Sequence, residues 1–216
     1  MIQFEELIES EIIQRIVNGE KSLYEIIVRR FNAYLYKVGR SYNYNHEDTQ
    51  DLMQETFIDA YKNLSAFEGR SGFGTWLIRI MLNNCYRKKE KASFKNEIMQ
   101  DVSENSTPMF TRPNNDTDKM VQSRELGHII ENTLAKIPFD YRMAFSLREI
   151  NGLSVSETAS LLRISEGNVK VRVSRAKTML RTEIEKTYSP GELFEFNLIY
   201  CDAMVQNVMK KINELH

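Results

Sequence analysis

The stretch Gly152–Leu180, GLSVSETASLLRISEGNVKVRVSRAKTML, decides how this chain is read. Ser154-Val155-Ser156-Glu157 fits a capping box, in which the serine hydroxyl accepts from the third helical amide and the glutamate reaches back to the serine N–H. The spacing predicts a short helix to Arg163, a turn over Ile164-Ser165-Glu166-Gly167, and a second helix from Asn168 to about Lys186. Two short helices joined by a tight glycine-containing turn outline a helix-turn-helix, although the outline alone is shared with any helical hairpin. On the second helix Val169, Val173, Leu180 and Ile184 form an apolar stripe. At about 100° per residue, Lys170 and Ser174 lie within about 40° of each other, as do Val171 and Arg175, on a face turned away from that stripe. With Arg172, Lys177 and Arg181 close by, this face suits phosphates and guanine edges; a solvated basic surface is the other reading.

Upstream, Pro138 stands where proline is tolerated at a helix start, and the helix it opens should run to about Ile150, ended by Asn151-Gly152. Met120, Leu126, Ile129, Ile130, Leu134 and Ile137 keep helical spacing before it. From Ala92 to about Asp118 the periodicity disappears into Ser, Asn, Thr, Asp and two prolines, which predicts a flexible acidic linker. The first 92 residues contain no proline. They read as four helices: residues 3–17 with Phe4, Leu7, Ile8, Ile12 and Ile16 on one side, a second from about Ser22 to Tyr42, a third from His46 to Leu64, and a fourth opening near Thr75. Beyond Ser189-Pro190-Gly191, Leu198, Cys201, Val205, Val208 and Ile212 predict an amphipathic C-terminal helix that packs on its own domain or docks a regulator; a redox role for Cys201 is the remaining alternative.

Composition sets the limits. In 216 residues, 42% are hydrophobic and 27% charged, an ordinary globular balance with no apolar run long enough to span a bilayer. Glu5, Glu6, Glu9 and Glu11 stand where a secretory signal needs cationic and then apolar residues, which predicts a cytoplasmic protein. Two distant cysteines and three isolated histidines suggest neither a disulfide framework nor a metal site. No Gly-rich phosphate loop or nucleophile with an apparent base is present, so neither a catalytic site nor a cofactor is expected. The net charge of -1 argues against nucleic-acid binding only if it is evenly spread. It is not: residues 133–188 hold ten Lys+Arg against six Asp+Glu, whereas residues 93–132 hold four against seven.

Two further stretches carry a resemblance. Asp48-Thr49-Gln50-Asp51-Leu52-Met53-Gln54-Glu55-Thr56-Phe57, and Phe67 through Ile80 with Asn83, are similar to the first conserved block of bacterial sigma factors of the extracytoplasmic-function type, within the sigma-70 family. Ile137-Pro138 through Leu147-Arg148-Glu149, Gly152-Leu153-Ser154 and Gly167 through Ala176 resemble the second block. The resemblance implies an all-α protein: sigma region 2, a helical bundle, over 1–92; a linker over 93–118; sigma region 4, the helix-turn-helix, over 119–188; and the helical extension 189–216.

It also implies a function: binding core RNA polymerase, recognising minus-10 and minus-35 promoter elements, and directing transcription initiation without chemistry of its own. Asp51, Leu52, Gln54 and Glu55 would meet the β′ clamp helices of the polymerase, and its β flap would be a second contact. Phe67, Arg70, Ser71, Phe73, Trp76, Arg79 and Asn83 would meet the minus-10 strand, with Trp76 open between that role and a core anchor. Lys170, Val171, Arg172, Ser174 and Arg175 would face the minus-35 groove, with Arg148 near a phosphate. The run Arg87–Lys91 reads equally as a helix end or a DNA-backbone contact. An anti-sigma factor is the further partner implied, and membrane insertion is not. A stand-alone helix-turn-helix regulator would account for the second block and leave the first without a purpose.

Overall fold

The computed structural model describes residues 8–95 and 117–187, and every regular element among them is helical. In chain order these are α1 (Glu9–Val17), a 3-10 turn (Lys21–Leu23), α2 (Tyr24–Ser41), α3 (His46–Lys62), a second 3-10 turn (Leu64–Ala66), α4 (Phe73–Lys95), α5 (Thr117–Lys136), α6 (Phe139–Phe145), a π segment (Ser146–Ile150), α7 (Val155–Leu162) and α8 (Glu166–Thr187). Most of the expected linker and all of the expected C-terminal helix, including Leu198, Cys201, Val205, Val208 and Ile212, lie outside the described residues.

Helices α2, α3 and α4 pack on one another around Ile27, Leu35, Val38, Leu77, Ile78 and Met81, all at or near zero exposure. Burying one such side chain is worth about 1.5–3 kcal/mol, which is why the apolar periodicity of the sequence is a strong guide here. The helix starts are chemically specified. Asn45 accepts from the Asp48 amide at 2.7 Å to cap α3. The Phe73 amide at the start of α4 donates to the Glu9 carboxylate at 3.2 Å, tying α1 to the loop before α4. Helix α1 buries Ile12, Ile13 and Ile16; Ile8, expected on the same face, is 70% exposed because α1 begins only at Glu9. Helices α2 and α3 approach so closely at Gly39 that a Cβ there would stand 2.6 Å from Thr49 Cγ2, so a side chain does not fit without movement.

The second half follows the local pattern with two departures, the smaller being that α8 begins at Glu166, inside the expected turn. The helix begun at Pro138 does not remain an α-helix to Ile150. It changes to a π segment at Ser146, closed by Asn151 N–H to Ser146 O at 2.9 Å, before Gly152 leaves with φ +72°. The capping box forms with both of its hydrogen bonds: Glu157 N–H to Ser154 Oγ at 3.1 Å and Ser154 N–H to Glu157 Oε2 at 2.9 Å. Arg163 takes the left-handed conformation at the end of α7 (φ 55°), turning the chain sharply into α8. Val169 and Val173 then bury against Ala144 and Ala159. Leu180 packs with Leu134 and Ile137.

The chain divides into Met1–Leu180 and Arg181–His216. Within the first unit, Met143, Leu147 and Leu153 belong to the same continuous core as α1 to α4. Arg142 extends this connection with polar contacts. Its Nε donates to Ser41 O at 2.8 Å, and its Nη1 donates to Ala135 O at 2.8 Å, Ile137 O at 3.1 Å and Leu134 O at 3.4 Å. One guanidinium thus occupies carbonyls that the end of α5 leaves without helical partners. Of the second unit, the last turns of α8 are described, with Arg181 paired to Glu185 and Lys186 to Glu183.

Candidate nucleic-acid and polymerase interface

The exposed face of α3 carries Asp51, Gln54 and Glu55, as expected from their spacing. Leu52 is corrected: at 3% exposure it lies in the core, since α3 must bury one side against α2 and α4, and it holds the face in place without forming part of it. Beside that face runs an open groove of 1220 Å³ between α2 and α3, with Tyr24, Val28, Tyr36, Met53, Phe57 and Tyr61 among its lining residues and Lys21, Arg29 and Asp51 contributing charge. The acidic face is partly engaged within the chain. Arg87 approaches Glu55 at 3.4 Å and Asp59 at 3.6 Å, and Lys88 pairs with Asp48. The basic run at 87–91 is thus at least partly a clip between α4 and α3, a role the sequence left open.

The loop before α4 is organised by aromatic side chains. Phe67, Phe73 and Trp76 meet with ring centroids 5.2–5.3 Å apart, and Phe31 reaches Phe73 at 5.6 Å. Phe73 is wholly buried, which corrects the expectation that it touches a partner: it is the pin on which Phe67 and Trp76 rest. Trp76 is half-buried. Its outer side lines a 690 Å³ pocket together with Ile80, Asn63, Asn83 and Tyr86. An aromatic wall with amide groups on its rim can stack an unpaired base and bond its edge. Asn83 is exposed there, and Asn63 and Tyr86, the latter one turn beyond Asn83 on the same helix, line the same pocket. Arg70 is exposed in the loop and paired with Glu68, and Ser71 is partly exposed. Arg79, also exposed, donates to Ser160 Oγ at 3.1 Å.

On α8, Lys170, Val171, Ser174 and Arg175 all lie on the exposed side, opposite the buried Val169, Val173 and Ala176. Val171 is 48% exposed. Arg175 Nη1 donates to Tyr141 Oη at 3.2 Å, and Arg172 pairs with Asp140 at 3.2 Å. These four side chains border a 350 Å³ cleft between α8 and the start of α6. Arg148 is part-buried and donates to Leu153 O at 3.1 Å, so it closes the turn leading into α7. Lys177 is held by Glu149 at 3.1 Å.

Hydrogen bonds from Thr75 and Ser154 hold the Glu157 carboxyl below its ordinary range. Burial pushes the Cys85 thiol up to about 12, leaving it protonated and unreactive as a nucleophile. Among the described residues no cluster of His, Cys, Asp and Glu could hold a metal ion, and no helix is long and apolar enough to cross a membrane.

Comparison with known proteins places both halves. Residues 27–94 match the family model described as Sigma-70 region 2, and residues 127–180 match Sigma-70, region 4. The chain is 29% identical over 185 residues to the ECF RNA polymerase sigma-E factor of Haemophilus influenzae, covering 84% of this chain and 97% of the relative. It is 28% identical over 187 residues to the protein of the same name from Escherichia coli K12, covering 84% and 96%. In fold it resembles CnrH solved in complex with the cytosolic domain of CnrY, with a TM-score of 0.61 at 22% identity, covering 82% and 97% of the two chains. It also resembles the sigma factor RpoE in complex with the anti-sigma factor NepR from Bartonella quintana, with a TM-score of 0.61 at 21% identity, covering 75% and 96%.

Proposed function

Since the chain belongs to the sigma-70 family, as a sigma factor of the extracytoplasmic-function type, we propose how its surfaces divide the work of transcription initiation. The exposed side of α3, with Asp51, Gln54 and Glu55, docks core RNA polymerase, and the apolar groove beside it extends that surface. The pocket between α3 and α4 takes an unstacked base of the minus-10 element, with Trp76 and Ile80 as walls and Asn83 and Asn63 as hydrogen-bonding rim. Phe67, Arg70, Ser71 and Arg79 border the strand that enters it. On α8, Lys170 and Arg175 supply phosphate and guanine contacts at the minus-35 element, Val171 offers an apolar surface to a thymine methyl, and Ser174 is small enough to let the backbone approach.

The observation that carries this reading is that α8 is turned by the Ser154 capping box and the left-handed Arg163 so that its polar, cationic side is exposed and its valines are buried. A stand-alone regulator would need only this part of the chain; the region 2 match gives the other half its purpose. The protein works in the cytoplasm with core RNA polymerase, promoter DNA and an anti-sigma factor as partners, and bond formation belongs to the polymerase. Domain boundaries at 92, 118 and 188 serve this division. Mixing the purified chain with core polymerase on a genomic promoter library, then sequencing RNA 5′ ends, should yield defined start sites sharing one upstream motif pair. Tight binding to a duplex without polymerase and no initiation would favour the regulator and refute the proposal.

A further inference from the structure

The cationic surface of α8 is not built by α8 alone. Arg175 Nη1 donates to the Tyr141 hydroxyl at 3.2 Å across 34 residues of chain, and Arg172 Nη2 pairs with Asp140 Oδ2 at 3.2 Å. Both acceptors come from the first turn of α6, which packs on α8 where Ala144 meets Val169 and Val173. Together with Val171 they border one cleft. The two acceptors are not equally firm. Asp140 is an exposed carboxylate, its side chain 63% open. The Tyr141 ring packs against Leu134, Ile137 and Leu180, so its hydroxyl is presented from a fixed base.

What Arg175 has to do makes this contact consequential. Bidentate recognition of guanine needs the guanidinium plane aligned with the base edge, so that two parallel N–H groups meet O6 and N7. An arginine on an exposed helix face must give up its rotamer freedom to reach that alignment, and the ordering opposes binding. A hydrogen bond from Nη1 fixes the plane in advance and leaves the edge formed by Nε and Nη2 open, so a fork of two donors remains for a base. Arg172 is disposed differently. Its side chain is 21% exposed and the Asp140 charge opposes its own, so it adds little to the field that a phosphate meets. We propose that Tyr141 is a positioning residue for promoter reading: its hydroxyl holds the Arg175 guanidinium in the orientation that bonds a guanine edge, so base discrimination depends on α6 as well as α8. The inference rests on the assignment of α8 to the minus-35 element made above. Tyr141 therefore acts on selectivity and not on overall attraction, because replacing its hydroxyl with hydrogen leaves every cation of the surface in place.

The test uses the full chain reconstituted with core polymerase, on a promoter recovered by RNA 5′-end sequencing and on every single-base variant of its upstream element. Initiation is measured at two salt concentrations for the parent, Tyr141→Phe, Arg175→Ala and the double variant. Tyr141→Phe keeps the packed ring and loses only the hydroxyl, so its melting temperature should stay with the parent's. Arg175→Ala should lower the preference at one base pair by about 5- to 150-fold. Tyr141→Phe should lower the preference at that same base pair by about 3- to 10-fold, with the salt slope unchanged. In the Arg175→Ala background the hydroxyl has nothing left to orient, and removing it should change the preference by less than about 2-fold. A base preference that persists in Tyr141→Phe while Arg175→Ala abolishes it overturns the positioning role alone. An equal loss on every promoter variant also overturns it, since a structural role would give that result. If Arg175→Ala leaves the preference intact at every position, the assignment of α8 fails and the positioning role falls with it.

Discussion

Arg142→Lys keeps the charge and removes the fork, and the structure says this should be costly. The guanidinium spans two groups of acceptors: Nε faces Ser41 O at the end of α2, while Nη1 faces Ala135, Ile137 and Leu134 at the end of α5. A lysine presents its three donors at one point and cannot serve both ends. At about 1.5–3 kcal/mol for a hydrogen bond to a charged group, losing the Ser41 bond together with one of the α5 bonds predicts a destabilisation of about 3–6 kcal/mol. For a chain of this size that corresponds to a fall in melting temperature of roughly 6–24 °C, at about 2–4 °C per kcal/mol. The measurement is a urea titration followed by the fluorescence of Trp76, the single tryptophan, which lies in the aromatic cluster. The midpoint should drop with the slope unchanged, and Arg142→Met should fall at least as far. A lysine variant within about 0.5 kcal/mol of the parent would refute the reasoning, because the charge alone would then account for the site.

At the proposed minus-35 surface, Arg175→Ala should cost about 1–3 kcal/mol in promoter binding and relax the base preference at one position, whereas Lys170→Ala should weaken all sequences evenly and reduce the salt slope by about 1. Both are read by initiation from a panel of single-base promoter variants at two salt concentrations. Gly39→Ala forces a Cβ to within 2.6 Å of Thr49 Cγ2 and should destabilise the protein by about 1–3 kcal/mol in thermal denaturation, with Thr49→Ser restoring part of the loss. For Glu157, the folded carboxyl titrates below its ordinary value of 4.5, chiefly because Thr75 and then Ser154 donate to it. Its stabilising contribution is therefore complete above about pH 4.5 and is lost as pH falls through the depressed folded value. Thermal stability should not change on account of this group between about pH 6 and 8 and should fall only on stronger acidification, with Glu157→Gln flattening that acid limb.

Local rules carried most of the helices and the exposed sides of α3 and α8. The capping box at Ser154, the helix stops at Asn18-Gly19 and Asn151-Gly152, and the polar side of α8 all follow from interactions within a few residues, so the sequence displays them directly. The misreadings have a common cause. Phe73 and Leu52 sit within otherwise exposed motifs, and only packing shows which members of a motif face inward. For Arg148 and the basic run at 87–91 the sequence leaves the neighbours open, and only the fold places Leu153 O beside Arg148, Glu55 beside Arg87 and Asp48 beside Lys88.

The sequence by itself determined the all-α class, the helix-turn-helix and the family, because these depend on periodicity, caps and motif spacing that operate over one or two helical turns. Only the packed fold settles the long-range polar contacts between the two helical blocks. Arg40 and Glu131 are 91 residues apart, and Thr75 and Glu157 are 82 apart; nothing in the local pattern marks either as a pair. A buried ion pair and a fork of backbone bonds form only once packing has removed water from both partners, so their existence is a property of the folded chain.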